Sequence, residues 1–161
     1  MDLRSLMLRE FDIESASTRS VIEITPDALM DYQADESLHS IRWNVSHLAD
    51  IPSWANIILR ENVFDVAPPD GPPHTTPEMA TVADALQAFD KNIESAKEVI
   101  ADFSLDTLED EWSLLVGGQP VLTQPRYIIY RMYMVSHVAH HRAHLLVYLR
   151  TNGIETPHLY G

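Results

Sequence analysis

The chain has 161 residues, 45% of them hydrophobic and 22% charged, a length and balance that predict one folded domain and argue against disorder. Its 24 acidic against 11 basic residues leave a formal net charge of -13, which repels a phosphate backbone, and no basic patch interrupts that field, so the sequence predicts neither a nucleic-acid partner nor an anionic-membrane partner. Cysteine is absent, so disulfides and thiolate ligands are ruled out, and any bound metal must be held by histidine or carboxylate. The acidic start "MDLRSLMLREFDIESAS" lacks a signal-peptide apolar stretch, and no run reaches the roughly 18 apolar residues of a membrane span, which sets the expectation of a cytoplasmic protein.

Four long segments have helical spacing. The first covers about residues 2 to 23, where Leu3, Leu6, Met7, Phe11 and Ile13 recur until "TPD" interrupts at 25 to 27. The second covers about 40 to 62, with Ser40 as N-cap, Ile41, Val45, Leu48, Ile51 and Ala55 near one stripe, and a kink expected at Pro52. A breaker rich in proline, "FDVAPPDGPPH", follows. The third segment, "TTPEMATVADALQAFDKNIESAKEVIADF", has threonine caps, Pro77 early in the helix and Glu78 near the positive end of the dipole. Then comes an irregular stretch with a Gly117-Gly118 turn, suited to a short hairpin or extended arm. The last helix spans about 125 to 150 and ends where Gly153 can take the left-handed conformation. Four helices with little strand signal predict an all-α four-helix bundle.

The last helix carries four of the chain's eight histidines, His137, His140, His141 and His144. Residues four apart on a helix lie about 40° apart in projection, so His137 and His141 can reach one point, and so can His140 and His144. His137 and His141 share their face with Tyr130, Met134, Leu145 and Tyr148, an inward direction, and are the preferred ligands. A first-row cation generally takes three or more protein ligands, and His47, mid-helix in "WNVSHLAD", is the candidate third. Three neutral imidazoles suit Zn, Ni or Fe and leave a position open for water or substrate. The opposing reading is a core or surface role for each histidine. Val138 stands where a metallopeptidase helix would carry glutamate, which disfavours that chemistry. His39, His74 and His158, near turns or the terminus, are expected to be solvated.

The order "WNVSHLAD", Trp112, then "PRYIIYRMYMVSHVAHHRAHLLVYLRTNGIETPHLYG", resembles the DinB family, the DinB/YfiT-type four-helix metal proteins, over nearly the whole chain. The resemblance implies an up-down-down-up bundle, commonly a homodimer, with a divalent metal on one histidine of the second helix and an H-x-x-x-H pair of the last. Carried over, these are His47, His137 and His141, the same residues that helix geometry prefers. Many members read H-H-R-G-Q-L where this chain reads "HHRAHL", so His144 stands in place of a glutamine and is left as a supporting donor, a fourth ligand or a bystander. Characterised relatives include thiol-cofactor enzymes. The resemblance therefore implies a metal-dependent enzyme that activates a low-molecular-weight thiol or water, of thiol S-transferase or hydrolase type, acting on a small-molecule substrate. The alternative is a non-catalytic, metal-binding or stress-related dimeric module. No catalytic side chain is assigned.

Around these histidines, Trp43, Trp54 and Trp112 are candidate pocket walls, with core packing the favoured reading, and Asp50, one turn beyond His47, could orient a ligand or accept a proton, with a solvated helix face the favoured reading. Arg131 and Arg142 could pair with the acidic third helix or contact a substrate carboxylate, and pairing is the favoured reading. Apolar residues on the back of the last helix, Ile128, Val135 and Leu146, point to burial against a partner copy.

Overall fold

The computed structural model describes residues 2–160. Helix α1 (Leu3–Glu23) starts at Asp2, whose carboxylate accepts from the Ser5 amide. Ser40 caps α2 (Ile41–Asp50) by accepting from the Trp43 amide. Pro52 cannot donate to the helical ladder, and the segment there becomes a 3-10 turn, Ile51–Ser53, before resuming as α3 (Trp54–Arg60). The helix is thus interrupted at Pro52, where the sequence places a kink.

The third long helix begins later than its composition predicts. Helix α4 runs Val82–Asp102, and its N-cap is Thr81, not the earlier threonines. Thr81 and Asp84 form a reciprocal capping box, with the Asp84 amide donating to Thr81 Oγ1 at 3.1 Å and the Thr81 amide donating to the Asp84 carboxylate at 3.1 Å. Residues before it are held elsewhere: the Met79 amide donates to Ser46 Oγ, and Thr76 Oγ1 lies 2.9 Å from His47 Nδ1.

The irregular stretch forms a small sheet beside the bundle. Strands β1 (Val63–Asp65), β2 (Glu111–Val116) and β3 (Gln119–Pro125) stand in the order β1-β2-β3, the first pair parallel and the second antiparallel. Gly117 and Gly118, at φ 62° and 76°, form the two-residue turn of the β2-β3 hairpin, a conformation that glycine adopts without steric cost.

The last segment is not one regular helix. Helix α5 (Arg126–Tyr130) passes through a π-helical turn, Arg131–Ser136, into α6 (His137–Thr151). The wider turn falls immediately before His137; such insertions cluster at functional sites because they re-aim the side chains beyond them. Gly153, at φ 77°, closes α6, with the Ile154 amide donating to the Leu149 carbonyl and the Gly153 amide to that of Arg150.

The four long helical segments pack as a bundle, α1 and α2 each contacting both α4 and α6. The core has two clusters. One gathers Val45, Leu48 and Ile51 with Phe89 and Leu145; the other gathers Phe11, Ile58, Ile100, Trp112 and Ile129. Half-buried Trp54 and Ile93 pack against both. Arg142 and Arg131 pair with α1 and not with α4: Arg142 with Glu14 at 2.6 Å, and Arg131 with Glu10. These bonds tie the last segment to the first. Among the described residues no helix is long and apolar enough to cross a membrane.

Candidate metal centre

The inner faces of α2 and α6 bring His47, His137 and His141 together, with one ring nitrogen from each lying within 4.8 Å of the others. His47 sits between Val45 and Leu48, which are fully buried, so the helix must carry its imidazole toward the core. His137 and His141 follow the π-helical turn on the face that also buries Val138 and Leu145. Their ring centroids are 4.5 Å apart, and those of His47 and His141 are 4.6 Å apart.

The nearest approach is 2.9 Å between His47 Nε2 and His137 Nε2. Two nitrogens each at about 2.0–2.1 Å from one ion would be separated by roughly 2.9 Å at a right angle and roughly 3.4 Å at the tetrahedral angle. The observed spacing is that of an N–H···N hydrogen bond between the two rings and also matches the right-angle value for two ligands of one cation. Neighbouring groups orient the rings for this. With its proton on Nδ1, His47 donates to Thr76 Oγ1 and presents the Nε2 lone pair inward, while His141 Nδ1 lies 3.4 Å from the amide oxygen of Asn44. The donor set and spacing fit a nitrogen-preferring divalent ion.

Electrostatics keep these rings neutral. Burial, reinforced by His137, His39 and His74, pushes His47 down to about 4. Burial, with His47, His137, His140 and His144 adding to it, pushes His141 down to about 3. His137 is lowered by burial and then by His140. All three are thus unprotonated near neutrality and ready to donate lone pairs to a cation.

Aromatic rings enclose the cluster. Trp43 stacks on His47 at 4.4 Å between centroids, while Trp54 and Tyr133 stand 5.6 and 5.7 Å from His137. Trp54 and Tyr133 also wall a cavity of about 100 Å³ whose other sides include Phe64, His74, Trp112 and Leu114. Trp43 covers His47, and Trp54 and Trp112 line this cavity. Its outer wall comes from β1 and β2, elements that helical periodicity does not reveal.

Several residues differ from their sequence-based placement. Asp50 is buried, accepts from Trp54 Nε1 at 3.0 Å, and faces His74 Nε2 at 3.8 Å. It therefore fixes a pocket wall and does not lie on a solvated face. His39 and His74 are exposed, as expected of turn residues, and each also makes a contact near the site: His74 borders the cavity, and His39 stacks on Trp43 with centroids 3.6 Å apart. His158, His140 and His144 are exposed. Thr76, a cap candidate by sequence, serves His47 instead, and Asn44 serves His141. Asn44 precedes His47 by three residues, a spacing that signals a shared helix face; Thr76 lies in an irregular loop that gives no such signal.

A family model described as the DinB superfamily matches residues 10–145. No curated protein matches the chain by sequence. Among solved structures, a DinB-like protein of Bacillus cereus is similar with a TM-score of 0.69 at 16% identity, covering 96% of this chain and 95% of that one. A DinB-like protein of Bacillus subtilis gives a TM-score of 0.69 at 18% identity, with 96% and 97% covered. A protein of Exiguobacterium sibiricum assigned to the DinB family gives 0.66 at 18% identity, with 99% of each chain covered. At these identities the structural likeness supports the bundle fold.

Proposed function

The chain belongs to the DinB superfamily, and on that premise we propose that it is a metal-dependent enzyme holding one divalent ion, Zn, Ni or Fe, on His47, His137 and His141. The observation that carries this reading is the convergence of three neutral imidazoles from two helices, two of their nitrogens 2.9 Å apart. A cation at this position supplies Lewis acidity, lowering the pKa of a bound thiol or water so that the anion is available near neutral pH. The chain's own residues do the rest. Thr76 and Asn44 hold two ligand rings in orientation, and Trp43 and Trp54 exclude solvent from them. The apolar cavity shared with Trp54 and Tyr133 receives the carbon part of a small-molecule substrate beside the reacting centre. Because the chain has no cysteine, the sulfur of a thiol transfer comes from a low-molecular-weight cosubstrate. The reaction is of thiol S-transferase type, or of hydrolase type with water in place of the thiol.

The decisive experiment is metal analysis of tag-free protein, followed by an assay of thiol consumption with an electrophile such as monochlorobimane. One ion per chain is expected at the inner triad, and His47→Ala and His137→Ala should each hold one ion fewer than the wild type, with thiol turnover that stops in the same variants. Retention of the full wild-type metal content by both variants would sink the assignment, and turnover without thiol would select the hydrolase form.

The same reading includes a cytoplasmic homodimer. Its support is an exposed apolar strip in which Leu3, Leu6 and Ile13 share one side of α1, with Tyr127 standing beside Leu3 and Leu6. Light scattering on the eluting protein should give twice the chain mass, and Leu6→Glu should return it to one.

A further inference from the structure

A second group of histidines lies on the outer side of α6. His140 and His144 are four residues apart and exposed, with ring centroids 4.3 Å apart. His141 is their neighbour, at 5.0 Å from His140 and 5.9 Å from His144. One ligand nitrogen from each of the three lies within 4.8 Å of the others, as tight a grouping by that measure as the inner triad.

We propose that His140, His141 and His144 form a second, solvent-facing site for a borderline divalent transition-metal ion, distinct from the inner triad and sharing one ring with it. Three imidazoles without carboxylate favour Cu, Ni or Zn over the oxygen-seeking Mg and Ca. Two of the rings already face solvent, so an ion reaches them without opening the bundle, and the net charge of -13 raises the cation concentration at the surface. Nothing in the fold competes for these rings: among the described residues neither His140 nor His144 makes a hydrogen bond or an ion pair with another side chain, and packing does not account for two exposed imidazoles held one turn apart.

Sharing His141 has a consequence. With Nδ1 facing Asn44, the ring offers Nε2 to one ion at a time. When the inner triad is filled, the outer ion is held by His140, His144 and water, and is the weaker of the two. When the inner site is disabled, His141 is released and the outer site gains its third ligand.

Zinc titration of the tag-free full chain, read by calorimetry and by metal content after equilibrium dialysis, tests this without reference to activity. Both outer residues are exposed, so H140A/H144A keeps the fold, which its thermal transition verifies. That variant should bind one ion fewer than the wild type. Equal binding by H140A/H144A and the wild type overturns the outer site. H47A/H137A should lose the inner ion while binding the outer one more tightly than the wild type does. Equal stoichiometry in H47A/H137A and the wild type would instead overturn the inner triad, so the two readings fail separately. Should H47A/H137A not fold, the comparison of H140A/H144A with the wild type still decides the outer site.

Discussion

His47 shows how one side chain can be legible and still incompletely read. A histidine amid Val45, Ser46 and Leu48 on a helix signals an inward imidazole that needs a partner, and that much follows from sequence spacing. The partner on its other nitrogen, Thr76, comes from a loop 29 residues away, where no periodicity points. Orienting groups of this kind are typically worth ten- to a hundredfold in metal affinity. Thr76→Val keeps the shape and removes the hydroxyl, so zinc affinity measured against a competing chelator should fall by about tenfold or more, while Thr75→Val should leave it unchanged. The three depressed imidazole pKa values carry a second prediction. A histidine whose folded pKa lies below its unfolded value of about 6.5 binds its proton in the unfolded chain first, so stability rises with pH across the interval between the two. With His47 at about 4 and His141 at about 3, the metal-free protein should hold its full stability above pH ~6.5 and lose it steadily as pH falls toward those values. Urea midpoints at pH 7 and pH 5 check this; a midpoint that does not decrease at pH 5 would contradict neutral, buried rings.

At the scale of elements, the fold is legible in the sequence where apolar spacing is long and illegible where short polar contacts decide. Helices α1 and α2, the break at Pro52, the Gly117-Gly118 turn and the stop at Gly153 all follow from local chemistry. The start of α4 did not, because Thr75 and Thr76 with Pro77 and Glu78 carry the same cap signal as Thr81 with Asp84. The reciprocal capping box at Thr81, together with the use of Thr76 by His47 and of the Met79 amide by Ser46, decided between them. Thr81→Ala should therefore cost about 1 kcal/mol in urea unfolding, and Thr75→Ala close to nothing. The π-helical turn before His137 is likewise not legible in the sequence. "RMYMVS" is ordinary helical sequence with no local mark of the wider turn, which lies beside the buried Tyr130 and Met134.

At the scale of the whole molecule, the first and last segments are joined by a charged contact that the sequence places on the wrong helix. Acidic residues are so numerous that Arg142 has many formal partners, and only packing selects Glu14. The Arg142 side chain is 1% exposed and that of Glu14 14%. The guanidinium also donates to Thr18 Oγ1 and the Glu14 carbonyl, each at 3.0 Å, and to the Tyr160 hydroxyl, so α6, α1 and the C-terminal tail meet at one cation. Removing one member of a buried pair leaves the other charge without compensation and typically costs about 3–5 kcal/mol, whereas replacing both with apolar groups of similar volume is close to neutral. Glu14→Ala should fall at the lower end, about 3 kcal/mol, because Arg142 keeps its neutral acceptors. The pair Glu14→Leu with Arg142→Met should recover most of that loss. Thermal or urea unfolding of the two variants and the wild type measures both quantities. A double variant as unstable as Glu14→Ala would mean that the contact supplies net stability, and a recovered one that it serves chiefly to fix how α1 and α6 dock, and with them the position of the helix that carries His137 and His141.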